Sequence, residues 1–166
     1  MFNFLRLSKK DLYITKLWNS FYEKEILIEK YQLKKAECDA IIITGSGIYL
    51  FNIYDYQGKL THDNKEKLWY VKGREEISFI NPHLSLKEMS DALIDLIDDK
   101  QVPIFNIPLF INFKSQNAED FYTLDLFQAL IRDSKKVLTH QNIDYLAVLL
   151  KEKGNYRGKK SGNNKV

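Results

Sequence analysis

Residues 37–58 read ECDAIIITGSGIYLFNIYDYQG, and this stretch decides the fold. Ala40 to Thr44 is apolar on both alternating faces, the pattern of a central strand covered on each side. Gly45-Ser46-Gly47 supplies residues that accept the backbone angles of a tight turn, and Ile48 to Tyr54 returns as a second strand. A hairpin apolar on both faces needs a helical layer above and below it.

The flanking segments supply those layers. Residues 8–22 place Leu12, Leu17, Trp18 and Phe21 at helical spacing behind Ser8, a suitable N-cap. Residues 25–33 alternate Ile26, Ile28 and Lys30 against Leu27, Glu29 and Tyr31 and predict a strand. Beyond Gly58 a loop runs through Asp63 and Asn64, and residues 67–72 and 77–80 predict a further hairpin around Gly73. Asn81-Pro82 opens a helix, with Ser85 as the expected cap and Glu88 completing a capping box. Leu86, Met89, Leu93 and Ile97 form its apolar stripe.

Residues 102–113 end in a predicted strand, LFINF. Residues 119–135 stay open between helix and irregular chain, although Phe127, Leu130 and Ile131 argue for a helix near the end. VLT at 137–139 is expected as a short strand, and Thr139 caps a last helix that turns Ile143, Leu146, Ala147 and Leu150 inward. The predicted class is α/β, a mixed central β-sheet flanked by helices.

Composition narrows the function classes. A chain of 166 residues, 45% hydrophobic and 13% aromatic, is expected to fold as one domain. That domain is placed at residues 1–150, with a basic, disordered tail at 151–166. The tail holds six basic residues and one acid, so of the net +3 the body carries −2. No apolar run approaches the ~20 residues of a membrane span. The N-terminus lacks a basic region ahead of its apolar residues, so the expected location is the cytoplasm. Cys38 is the single cysteine, which excludes a disulfide framework or zinc–thiolate cluster and suits a small buried residue. His62, His83 and His140 lack metal-ligand spacing. No phosphate-cradling glycine loop or serine-nucleophile motif occurs. The Lys-, Asn- and Ile-rich composition points to an AT-rich bacterial genome.

Glu37-Cys38-Asp39, Gly47-Ile48, Asp55-Tyr56 with Gly58, Trp69 and Asn81-Pro82 follow one another in order. The set resembles the nuclease-related domain (NERD) family, a branch of the PD-(D/E)XK nuclease-like fold, over about residues 10–150. The resemblance implies a restriction-endonuclease-like core. It also implies a divalent-metal site built from an Asp at position 39, a Glu-x-Lys on the facing strand and an acid on an N-terminal helix. Here Asn52-Ile53-Tyr54 stands where Glu-x-Lys would fall, Ser85 stands where the family favours Gln, and Asp11 is the candidate helical acid.

Those replacements bear directly on chemistry. Phosphodiester hydrolysis of this kind uses a divalent ion to generate hydroxide and to stabilise charge on phosphorus. Magnesium prefers hard anionic oxygens. Asn52 offers a neutral carbonyl and Tyr54 no fixed positive charge, so Asp39 is left as the one strong ligand. The expectation is a catalytically inactive nuclease-like domain that binds protein or nucleic acid and needs no cofactor. The alternative is a metal-dependent DNA nuclease with a relocated site, with Mg or Mn at Asp39 and Glu37, Asp55 and Lys59 as substitutes.

Partner surfaces are expected elsewhere. Glu88, Asp91 and Asp95, continued by Asp98 and Asp99, form an acidic ridge suited to a basic protein surface or a second copy of the chain. Lys159 and Lys160 are candidates for weak, nonspecific nucleic-acid contact. Tyr49, Tyr54, Tyr56 and Tyr70 are expected as an aromatic patch.

Overall fold

Ile41, Ile42, Ile43, Ile48, Tyr49 and Leu50 are all sealed from solvent, because a helical layer lies on each face of the hairpin that carries them. The computed structural model describes residues 8–21, 26–111 and 121–159. In chain order these form α1 (Lys9–Ser20), β1 (Ile26–Leu33), β2 (Ala36–Thr44), β3 (Gly47–Tyr54), β4 (Lys59–Thr61), β5 (Leu68–Lys72), β6 (Glu76–Ile80), α2 (Pro82–Ile97), β7 (Ile104–Phe110), α3 (Leu124–Arg132) and α4 (His140–Lys153). The main sheet runs β1-β2-β3-β7, antiparallel except for the parallel β3–β7 pair. Helices α2 and α4 cover one face, packing Leu86, Met89, Leu93, Ile143, Leu146 and Leu150 on Ile41, Ile43, Ile48 and Leu50. Helices α1 and α3 cover the other, packing Ile14, Leu17 and Phe127 on Ile42, Tyr49 and Phe51. This is the mixed α/β core of the restriction-endonuclease-like kind.

A second sheet, β4-β5-β6, leans on the end of the first through Trp69, Phe110 and Phe121. Gly47 opens β3 at φ +140, and a Cβ there would lie 2.5 Å from the Pro103 carbonyl oxygen. The turn can therefore be closed only by glycine. Pro108 lies in β7, at the edge of the sheet, where a missing N–H is tolerated.

Several expectations need correction. Asn81, not Ser85, caps α2: its side chain accepts from the His83 N–H at 3.0 Å while Pro82 takes the first helical turn. Proline there sacrifices no helical hydrogen bond, so the helix starts three residues before Ser85. VLT at 137–139 is not a strand. The N–H groups of Val137 and Leu138 both donate to the Gly45 carbonyl, at 2.7 and 2.8 Å, which uses the segment as a clasp on the β2–β3 turn. Lys59–Thr61, expected within the loop beyond Gly58, forms the short strand β4; three residues carry no periodicity to announce it.

The boundary at residue 150 falls inside α4, which runs on to Lys153. Residues 154–159 continue onto the body instead of hanging free. Asn155 bridges Gln32, the Arg157 N–H donates to the Glu29 carbonyl, and the Arg157 guanidinium reaches Asp11 at 2.8 Å and Glu29 at 3.6 Å. Backbone pairing with β1 and the ion pairs of Arg157 together tie down a segment whose composition suggested a solvated tail.

Strict alternation in β1 also fails. Ile26 and Ile28 face the α2–α4 layer, but so do Tyr31 and Leu33. The switch is at Lys30, which adopts a left-handed φ of +49. In β2 the matching switch lies between Cys38 and Ala40, which face opposite layers. Glu29 pairs with Ala40 and Tyr31 with Cys38, so both strands change face at the same level, that of Lys30 and Asp39. A left-handed non-glycine residue costs roughly 1–2 kcal/mol.

Candidate functional site

The β2–β3 ladder ends at Ala40 and Phe51, and beyond that pair side chains continue it. The Asp39 N–H donates to Asn52 Oδ1 at 3.2 Å, and the Ile53 N–H donates to Asp39 Oδ2 at 2.7 Å. The strands part here, and the gap is a cleft of about 370 Å³ whose lining includes Lys10, Lys30, Glu37, Asp39, Asn52, Tyr54 and Ser85. The change of face at Lys30 and Asp39 therefore sits at the cleft, and the left-handed Lys30 lines it, as strained backbone often does at functional positions.

Asp39 already has a cation. Lys10 Nζ, from the first turn of α1, lies 3.1 Å from Asp39 Oδ2 and 3.4 Å from Oδ1. Lys9, one residue earlier, reaches Asp55 at 3.5 Å instead. Nothing in the local sequence separates these two lysines; the helix phase of 100° per residue sends one to the cleft and the other past it. Lys10 and Lys30 are the charged residues of the cleft that sequence reasoning missed.

Asn52 is held at both ends of its amide. Its carbonyl takes the Asp39 N–H, and its Nδ2 donates to Ser85 Oγ at 3.1 Å. Ser85, freed from capping, is thus the post on α2 that orients Asn52. Tyr54 stacks on Phe110 with ring centroids 4.8 Å apart and packs against Phe79 at 5.4 Å. Burial pushes its phenol well above the ordinary range, an effect opposed by a hydrogen bond with Asn52 and reinforced by the Asp39 charge. Tyr54 is neutral at any physiological pH.

Of the substitutes considered for a relocated site, Glu37 lines the cleft beside Asp39. Asp55 does not: it lines a separate groove with Tyr56, Gly58 and Arg74. Lys59 is exposed at the start of β4, outside the cleft lining. Asp11 is not a helical acid facing the cleft. It completes a capping box with Ser8 and pairs with Arg157, and these hydrogen bonds hold its carboxyl below the usual range.

The remaining expected surfaces are placed as follows. Glu88, Asp91 and Asp95 are exposed on α2; Asp91 pairs with Lys87, and Asp95 lies 4.0 Å from Lys34. Lys159 Nζ donates to the Gly154 carbonyl at 2.6 Å, close to the C-terminus of α4, while Lys160 lies outside the described residues. The four tyrosines do not share one patch. Tyr49 is buried in the α1–α3 core and Tyr70 is exposed on β5, whereas Tyr54, Tyr56 and Phe79 pack together. Cys38 is buried, and burial raises its thiol far above the ordinary value.

The donor set does not fit a divalent metal. Among the described residues no three His, Cys, Asp or Glu side chains converge. The cleft offers Asp39 and Glu37, an amide oxygen already occupied, and an ammonium ion where a dication would need to sit. No described helix is long and apolar enough to cross a membrane. The family model for the nuclease-related domain matches residues 3–111, about two thirds of the 166-residue chain. No curated protein and no solved structure matches it.

Proposed function

The chain belongs to the nuclease-related domain family, and on that premise we propose that its nuclease-type cleft binds rather than cleaves. The observation that carries this reading is the shortage of anionic oxygens around Asp39 among the described residues, with the Lys10 ammonium already against both of its carboxylate oxygens. A built-in monovalent cation neutralises the anion but supplies no coordinated hydroxide and no second coordination site for a phosphoryl oxygen. Tyr54 in place of a lysine adds no charge to stabilise a pentavalent phosphorus; loss of one such electrostatic group costs a factor of about 100–1,000 in rate.

The module's partner is then a protein or a nucleic acid. The cleft lining carries Lys10 and Lys30 against Glu37 and Asp39, a balance with little net pull on a polyanion. The exposed acidic face of α2, with Glu88, Asp91 and Asp95, favours a protein carrying a basic surface. The competing reading, a metal-dependent DNA nuclease, draws on Glu37, which shares the cleft with Asp39 and is exposed.

The test is incubation of the purified protein with plasmid and linear DNA in millimolar Mg²⁺ or Mn²⁺, beside the Asp39→Ala variant. No cleavage above the level of the variant is expected. Metal-dependent cleavage abolished by Asp39→Ala would establish the nuclease reading instead.

A further inference from the structure

Beyond α4 the chain turns back along the outer edge of β1. The Gln32 N–H donates to the Asn155 carbonyl at 2.8 Å, the Asn155 N–H donates back at 2.9 Å, and the Arg157 N–H donates to the Glu29 carbonyl at 2.9 Å. Arg157 follows Asn155 by two residues, whereas Glu29 precedes Gln32 by three. β1 therefore carries one extra residue against this segment, and the left-handed Lys30 lies within the bulge. Lys30 and Gln32 both line the Asp39 cleft. The same segment also reaches α1. Arg157 Nη1 lies 2.8 Å from Asp11 Oδ1, while Asp11 Oδ2 takes the Ser8 N–H at 3.1 Å and the Ser8 hydroxyl at 2.8 Å. One carboxylate thus caps α1 and ties it to the C-terminal segment. Lys10, the neighbouring residue, is the cation on Asp39. The first turn of α1 has little else to hold it: Lys9, Lys10 and Leu12 are exposed, and burial begins at Ile14.

We propose that residues 154–157 are a latch on the cleft: seated on β1, they hold Lys10 and Lys30 in its lining, and their release opens Asp39 to an incoming ligand. The inference rests on the reading of this cleft as a binding site. It adds that the chain's own C-terminal segment governs access, through Asp11 on one side and through the bulge of β1 on the other.

Two features build the latch into the fold. Gly154 passes so close to Tyr31 that a Cβ there would run into the ring, so only glycine lets the chain turn onto β1 at that point. Lys159 Nζ then donates back to the Gly154 carbonyl at 2.6 Å, which closes the segment on itself. The latch is also weak enough to open. Among the described residues it rests on three backbone hydrogen bonds to β1 and on the ion pairs of a partly exposed guanidinium. Such a unit opens locally while the core stays folded.

The experiment is pulse acylation of the full-length protein with an amine-reactive ester, read at single lysines by mass spectrometry, beside amide NMR. Arg157→Gln is expected to raise the labelling rate of Lys10 by about two- to fivefold, the range that a partly exposed ion pair allows. The Ile53 amide, which donates to Asp39 Oδ2, is expected to shift with it. Gly154→Ala lifts the segment without changing charge and is expected to act in the same direction. Lys153→Gln removes a charge from the same end of the chain without touching Asp11 and is expected to leave Lys10 at its original rate. Lys100, exposed after α2, is expected to label equally in every variant. A Lys10 rate that fails to rise in Arg157→Gln or in Gly154→Ala overturns the proposal. So does an equal rise in Lys153→Gln, which would mean bulk charge, and so does faster labelling of Lys100, which would mean that the segment holds the whole fold. These readouts follow Lys10 itself and not what the cleft does to DNA, so failure of the latch and failure of the binding reading are told apart.

Discussion

Lys10 and Asp39 form a partly exposed pair, with side chains 49% and 25% accessible. Such pairs contribute up to about 1 kcal/mol, a factor of about five in an equilibrium. The lysine therefore discourages a metal without forbidding one, and the shortage of carboxylates decides the rest. This sets the size of a testable effect. Lys10→Ala is expected to tighten Mn²⁺ binding at Asp39 by about two- to fivefold in a calorimetric titration. Lys9→Ala, which removes a contact with Asp55 outside the cleft, is expected to leave it unchanged. Equal effects of the two substitutions would mean that bulk charge, and not the contact with Asp39, sets metal affinity.

At the scale of elements, the start of α2 shows how one residue serves several partners. Asn81 is fully buried; its oxygen caps the helix, and its amide donates to the carbonyls of Asn64 at 3.2 Å and Glu66 at 2.9 Å. It joins the start of α2 to the loop between β4 and β5. Asn81→Ala loses the cap and strands two carbonyls, and is expected to cost about 3 kcal/mol in urea unfolding. Ser85→Ala touches no cap and is expected to cost about 1 kcal/mol or less. The reverse order would mean that Ser85 carries the helix start.

Over the whole molecule, burial of ionisable groups sets the behaviour in alkali. The Tyr31 phenol, sealed in the core and donating to the Leu150 carbonyl at 2.9 Å, is pushed up to about 12 by burial and, secondarily, by Cys38. Burial raises Cys38 and Tyr54 as well. Each group ionises more easily in the unfolded chain than in the folded one, so stability falls as pH rises. For Tyr31 the contribution is complete below its ordinary value of 10.0 and is lost as pH climbs toward about 12. Denaturant unfolding at stepped alkaline pH is expected to show this loss, with a shallower slope in Tyr31→Phe, which itself starts about 1 kcal/mol lower for want of the hydrogen bond. An unchanged slope would place the titration elsewhere. The same scale includes Arg157, whose ties to Asp11 and Glu29 bring the C-terminal segment to the first turn of α1, next to Lys10.

Local patterns by themselves determined much of this protein. The apolar runs of β2 and β3, the glycine that closes their turn, the Ser8 and Thr139 caps and the stripes of α2 and α4 each depend on residues a few positions apart. Periodicity and capping are short-range physics, so they can be read along the chain. That Asn52 and Tyr54 stand where an acid and a lysine would be expected is implied by the family resemblance and not by periodicity. What only the tertiary structure decided is long-range: that Lys10, 29 residues before Asp39, lies on its carboxylate; that Ser85 orients Asn52; that Arg157 reaches back to Asp11; and that β1 and β2 change face together at Lys30 and Asp39. A charged side chain has many possible partners of similar energy, and only packing of the helices on the sheet determines which of them comes within reach.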